Sequence, residues 1–64
     1  DQDGIELSEI HVEEESRLVG KPLKAAGLRR DCLVVLIRRD GADIIPDGET
    51  VLQKDDLLVI FTHR

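Results

Sequence analysis

The chain has no methionine, tryptophan or tyrosine, and only one phenylalanine and one cysteine in 64 residues. Each scarcity excludes something. With Phe61 as its single aromatic, the chain offers no platform on which nucleic-acid bases stack. Its net charge of −5, from 14 acidic and 9 basic residues, provides no basic field to displace counterions from a phosphate backbone. Nucleic acid is therefore not expected as a partner. Cys32 has no second cysteine to pair with, which suits a reducing compartment better than a secreted framework. The soft and imidazole ligands are His11, Cys32 and His63. They are scattered rather than set at the paired spacings of a structural zinc site, so no metal is expected. No apolar run approaches the ~20 residues of a membrane span, and no signal-peptide pattern is present. A cytoplasmic, soluble piece is the expectation.

Residues 1–64 are read as a single domain. The chain begins "DQDG" without methionine and ends "FTHR", so it is expected to be a piece of a larger polypeptide. A domain this small buries only about 60% of its unfolded surface. Chain entropy of roughly 1.5 kcal/mol per ordered residue nearly cancels the gain. Support from a second copy or from the parent protein is expected.

"IELSEIHV", Ile5 to Val12, reads as a strand with imperfect alternation. Ile5 and Leu7 share one phase and Ile10 and Val12 the other, and a bulge near Ser8-Glu9 would bring all four to one side. "RLVGKPLKAAGL", Arg17 to Leu28, holds the one helical candidate. Pro22 suits a first helical position and Gly27 the residue past the end. So short a helix must be anchored by Leu18, Val19, Leu23 and Leu28 in the core. "CLVVLIRR", Cys32 to Arg39, is a strand with apolar residues on both faces. Asp40-Gly41 then predicts a two-residue hairpin turn. Pairing across it sets Arg39 opposite Ala42, Arg38 opposite Asp43 and Ile37 opposite Ile44. One face would carry Val34, Leu36, Arg38, Asp43 and Ile45, the other Leu33, Val35, Ile37, Ala42 and Ile44.

Pro46 stops the third strand because it cannot donate to the ladder, and Asp47-Gly48 makes a second turn. "TVLQKDD" runs back over the domain with Val51 and Leu52 tucked in, and "LLVIFT", Leu57 to Thr62, is the last strand. The expected class is α+β: a small mixed β-sheet in the order β-α-β-β-X-β with one short helix. A half-buried antiparallel strand should alternate. Two strands apolar on both sides therefore call for a second copy over one face, and a homodimer is predicted.

With these elements in place, the chain resembles the TrkA-C (RCK_C) domain, the C-terminal module of RCK/TrkA-type transport proteins. The resemblance rests on Ser16 with "LVGKPL" (18–23), "LVVLIRRDG" (33–41), "IIPDGETVL" (44–52) and "KDDLLVI" (54–60), in that order. Asp55 stands where the family commonly has glycine before the last strand, and Thr62-His63-Arg64 replace a common glycine after it. If the Asp55 position needs positive φ, aspartate meets it at some cost. The resemblance implies a cytoplasmic regulatory domain linked covalently to a membrane transport protein for potassium or another cation, dimeric and in some members ligand-binding. The alternative is a purely structural dimerisation module of an anion channel or permease. No GxGxxG occurs, so neither NAD nor ATP is assigned and no cofactor is expected.

Nothing in the chain sets a nucleophile beside a base, so no enzyme is expected. The Glu13–Glu15 run lacks the interleaved turn residues of a calcium loop and reads as a solvated edge. Lys21, ahead of a helix with a weak dipole, reads as a solvated lysine. The candidate site lies at Arg38, Arg39, Ile45 and Pro46. Arginines clamp phosphates bidentately, and Ile45-Pro46 offers a flat apolar step. In family members that bind cyclic di-AMP, residues around this hairpin line the dimer interface, which makes such a nucleotide the expected kind of ligand. Arg38 and Ile45 share a face and Arg39 lies on the other, so Arg38 is the stronger candidate. The bland reading pairs Arg38 with Asp43 across the hairpin.

Overall fold

A computed structural model describes residues 4–63. Four strands, β1 (Ile5–His11), β2 (Cys32–Arg39), β3 (Ala42–Ile44) and β4 (Leu57–His63), form one sheet in the order β1-β4-β2-β3. Every strand pair is antiparallel, so the expected mixed sheet is corrected to an antiparallel one. Chain-distant β1 and β4 pair along seven residues, from Ile5–His63 to His11–Leu57.

The expected helix is also reduced. Pro22 precedes a single 3₁₀ turn, Leu23–Ala25, and Gly27 at φ 74° ends it. Between a proline that fixes the entry and a glycine that turns the chain away, too few residues remain for α-helical hydrogen bonds to propagate. Among the described residues the helical content is that one turn. Tertiary hydrogen bonds hold it: the Leu23 N–H donates to Thr50 O at 2.8 Å and the Lys24 N–H to Gly48 O at 2.9 Å.

The hairpin follows the reading of the sequence. Asp40 and Gly41 both take positive φ, 53° and 78°, as a two-residue type I′ turn demands. The register is Arg39–Ala42, Arg38–Asp43, Ile37–Ile44. The bulge lies elsewhere than expected. The β1–β4 register is unbroken through Ser8 and Glu9, whereas β2 shifts against β4 between Val34 and Leu36. Val35 is the extra residue, and it reverses the phase of everything upstream. Val34 and Ile37, three apart, are therefore both buried, while Leu33 is 63% exposed. The face assignment made from strict alternation holds for Leu36 to Ile45 and is inverted at Leu33 and Val34.

One sheet face carries the core. Val34, Ile37, Leu58 and Ile60 pack with Val12, Ala26 and Leu52, flanked by Leu18, Leu23, Leu28, Cys32 and Ile44. The covering layer is loop. The Gly20 N–H donates to Leu52 O and the Leu52 N–H to Lys21 O, at 2.8 and 2.9 Å. Val19 and Val51, expected inside, are 39% and 45% exposed, because these straps turn alternate side chains outward.

Candidate assembly and ligand site

Among the described residues, the other sheet face has no layer over it. Directly paired residues share a face, so the register places Leu7, Phe61 and Leu33 in one row across β1, β4 and β2. These three are 60%, 39% and 63% exposed, and Ile5 beside them is 56% exposed. Val59 and Leu36 continue the patch in the next row, where Glu9 of β1 adds a carboxylate. Toward the hairpin the same face becomes charged, with His11, Leu57, Arg38 and Asp43 in a single row. The outer face thus grades from apolar at one end to ionic at the other.

The sequence-derived candidates divide across the sheet. Arg38 lies on the outer face, its Nε donating to Asp43 Oδ1 at 3.0 Å with both side chains about half exposed. That hydrogen bond and the Asp43 charge raise the Arg38 pKa and keep it cationic. Ile45 is 80% exposed and Pro46 half-buried. Arg39 faces the core side. Its Nε and Nη2 donate to Asp56 Oδ1 and Oδ2, both at 2.8 Å, and Nη2 also reaches Val51 O at 2.9 Å. Asp56 is fully buried. Burial pushes its carboxyl upward, but hydrogen bonds from Arg39 and the Gln53 N–H, with the Arg39 charge, outweigh that and lower it. A charge pair this well matched is a tie between β2 and the turn before β4. The sequence reading missed Asp56 because two adjacent aspartates in a turn give no sign of which one turns inward.

His11 stands between two carboxylates, Nδ1 at 3.1 Å from Glu13 Oε2 and Nε2 at 3.3 Å from Asp55 Oδ1. Both nitrogens can donate only in the imidazolium form. The pKa of His11 is raised, chiefly by the Glu13 hydrogen bond against a smaller desolvation effect. Among the described residues no group of three or more His, Cys, Asp or Glu side chains is arranged to hold a metal ion. No helix among them is long and apolar enough to cross a membrane.

The comparison that decides the family is direct. The TrkA-C domain family matches residues 7–64. This chain belongs to the TrkA-C family. A TrkA-C relative in Pyrococcus abyssi, a Trk system potassium uptake protein TrkA homolog, is 33% identical over 64 residues, covering 98% of this chain and 28% of the relative. Trk system potassium uptake protein TrkA homolog 1 of Methanosarcina mazei is 35% identical over 57 residues, covering 89% of this chain and 13% of that protein. A further TrkA homolog, from Pyrococcus horikoshii, is 28% identical over 64 residues, 98% of this chain and 28% of its own length. This TrkA-C chain therefore spans less than a third of these curated relatives.

Proposed function

We propose that the chain is the regulatory domain of a potassium uptake system, acting at the cytoplasmic face of the membrane as part of a transport protein. Family membership over residues 7–64 and the potassium uptake role carried in the names of the relatives support the transport context. The working unit is a homodimer whose seam is the outer sheet face. The observation that carries this is the exposed row Leu7–Phe61–Leu33. Adjoining exposed apolar side chains on one sheet face, in a chain too small to form a second layer, support an interaction site there.

Regulation then requires a ligand with different affinity for two dimer arrangements. The site is the hairpin end of that seam, with Arg38 supplying charge and Ile45-Pro46 an apolar step. Arg39 holds Asp56 and supports the site from the core side. A small nucleotide such as cyclic di-AMP is the ligand class proposed. One observation favours a dimerisation module that binds nothing: Arg38 and Arg39 already have carboxylate partners. The deciding experiment titrates the dimer with a panel of nucleotides and cyclic dinucleotides by calorimetry. Saturable heat that Arg38→Ala abolishes supports the sensor, and silence across the panel supports the scaffold.

A further inference from the structure

The two edges of the sheet are built differently. β3 is three residues long, and Pro46 stands just past its end. A short strand closed off by proline is a protected edge. β1, at the opposite edge, runs seven residues and pairs with β4 in an unbroken register. It contains no proline, no lysine and no bulge, so it lacks those common barriers to further pairing.

The ladder fixes which backbone groups of β1 lie outward. The Val12 N–H donates to Asp56 O at 2.9 Å, and Val12 O accepts from the Asp55 N–H at 2.7 Å, so both polar groups of Val12 point toward the β4 side. In an antiparallel ladder this direction alternates along the strand. Glu6, Ser8 and Ile10 therefore direct their N–H and C=O groups at β4, while Leu7, Glu9 and His11 turn theirs away from the sheet. β4 agrees with this phase. The N–H of His63, opposite Ile5, points away from β1 and donates to Asp31 O at 2.9 Å. Every residue of β1 is exposed, and among the described residues no strand lies beyond it.

Charge says what fits there. No lysine or arginine precedes Arg17, whereas Glu6 and Glu9 lie in β1 and Glu13 to Glu15 follow it closely. His11 is engaged between Glu13 and Asp55. A second β1 would bring Glu6 and Glu9 of both copies to one joint, and like charges facing across strands are destabilising. A basic strand meets opposite charges instead. We propose that β1 accepts an extended, basic peptide segment as a further strand. Backbone hydrogen bonds to Leu7, Glu9 and His11 hold it, and lysine or arginine side chains beside the β1 glutamates select it. This interface is a strand edge, separate from the sheet-face seam, and it uses none of Arg38, Arg39, Ile45 and Pro46.

The test titrates the chain with three acetylated, amidated peptides, KVKVKVK, KVKPKVK and EVEVEVE, following backbone amides and their hydrogen exchange by NMR. KVKVKVK should give saturable shifts along residues 5–11 and slow the exchange of the Leu7, Glu9 and His11 amides. KVKPKVK has the same charge but cannot complete the ladder, and should bind on the order of tenfold more weakly. Glu9→Pro removes an outward N–H and no bond to β4, and should abolish binding while the β1–β4 amides stay protected. Glu9→Lys, an exposed change, should weaken KVKVKVK by about tenfold. Equal binding of KVKPKVK, or a Glu9→Pro variant that titrates like the parent, would overturn strand addition. EVEVEVE binding as tightly as KVKVKVK, or Glu9→Lys binding it unchanged, would overturn the charge assignment. Slowed exchange of the same three amides in the chain alone, growing with its concentration, would give the edge to a second copy and overturn the peptide. No saturable shift would overturn the site itself.

Discussion

Arg39 meets the buried Asp56 carboxylate edge-on, Nε to Oδ1 and Nη2 to Oδ2, both at 2.8 Å. Among the described residues, removing the guanidinium leaves a buried charge with the Gln53 N–H as its remaining hydrogen-bond donor. Breaking a buried pair from one side costs about 3–5 kcal/mol. A chain of this size has on the order of 3–10 kcal/mol of stability, so Arg39→Ala should unfold largely or wholly in urea titrations at room temperature. Acid should act on the same tie. The Asp56 carboxyl is held below its ordinary value, so its contribution is complete above about pH 4. It is lost as pH falls through the lowered native value. The unfolding midpoint should therefore drop on that acid limb. An acid limb no steeper than that of exposed carboxylates would show that the tie contributes little.

A second pH effect has the opposite sign. The His11 pKa is raised by Glu13 and, less strongly, by Asp55. Its support for the loop after β1 is complete below the unfolded value of about 6.5 and fades as pH rises through the higher native value. NMR titration of the His11 ring should give a midpoint above the ordinary histidine value of about 6.5. The Glu13→Gln, Asp55→Asn double variant should return it to the ordinary range. An unchanged midpoint in the double variant would assign the shift to some other cause.

Asp55 takes φ 70°, a left-handed conformation that favours glycine. An L side chain in that region costs roughly 1–2 kcal/mol, and aspartate tolerates it better than most. Asp55→Gly should therefore be more stable than Asp55→Ala by about 1 kcal/mol. Both substitutions remove the His11 contact, so their difference isolates the backbone. Equal melting temperatures for the two would mean that the turn relaxes out of the left-handed region.

These sites also show what the sequence could carry. The hairpin was legible because its signals are local: Asp40-Gly41 sets the turn, and the turn sets the register of Arg38 and Asp43. The bulge was not. A bulge is read from a break in alternation, and that requires one face to be polar. Here Leu7, Leu33 and Phe61 make the outer face apolar as well, so Val35 in β2 and Ser8-Glu9 in β1 were equally good places for the break. The helix failed for a related reason. Pro22 and Gly27 mark ends correctly, but the conformation between them is set by hydrogen bonds to Gly48 and Thr50, more than twenty residues away. Arg38 and Arg39 are adjacent and chemically alike, and their roles separate only because Asp56 is delivered to one side of the sheet.

The apolar row that confused the pattern is also the feature whose removal is most informative. Leu7 is 60% exposed in the single chain, so Leu7→Glu should change the stability of one copy by only about 0.5 kcal/mol. In a twofold dimer each substitution acts twice. Burying one leucine side chain is worth about 1.5–3 kcal/mol, so two lost leucines should weaken association by roughly 10²–10⁴-fold before the cost of burying the new charges. Sedimentation equilibrium should find the parent chain dimeric and Leu7→Glu monomeric with an unchanged far-ultraviolet spectrum. Val19→Ser, which removes an exposed apolar side chain from outside the sheet, should stay dimeric. A monomeric parent chain would end the proposal of a homodimer. A Leu7→Glu variant that stayed dimeric would move the seam off this face, and the hairpin site would then lose the second copy it is proposed to share.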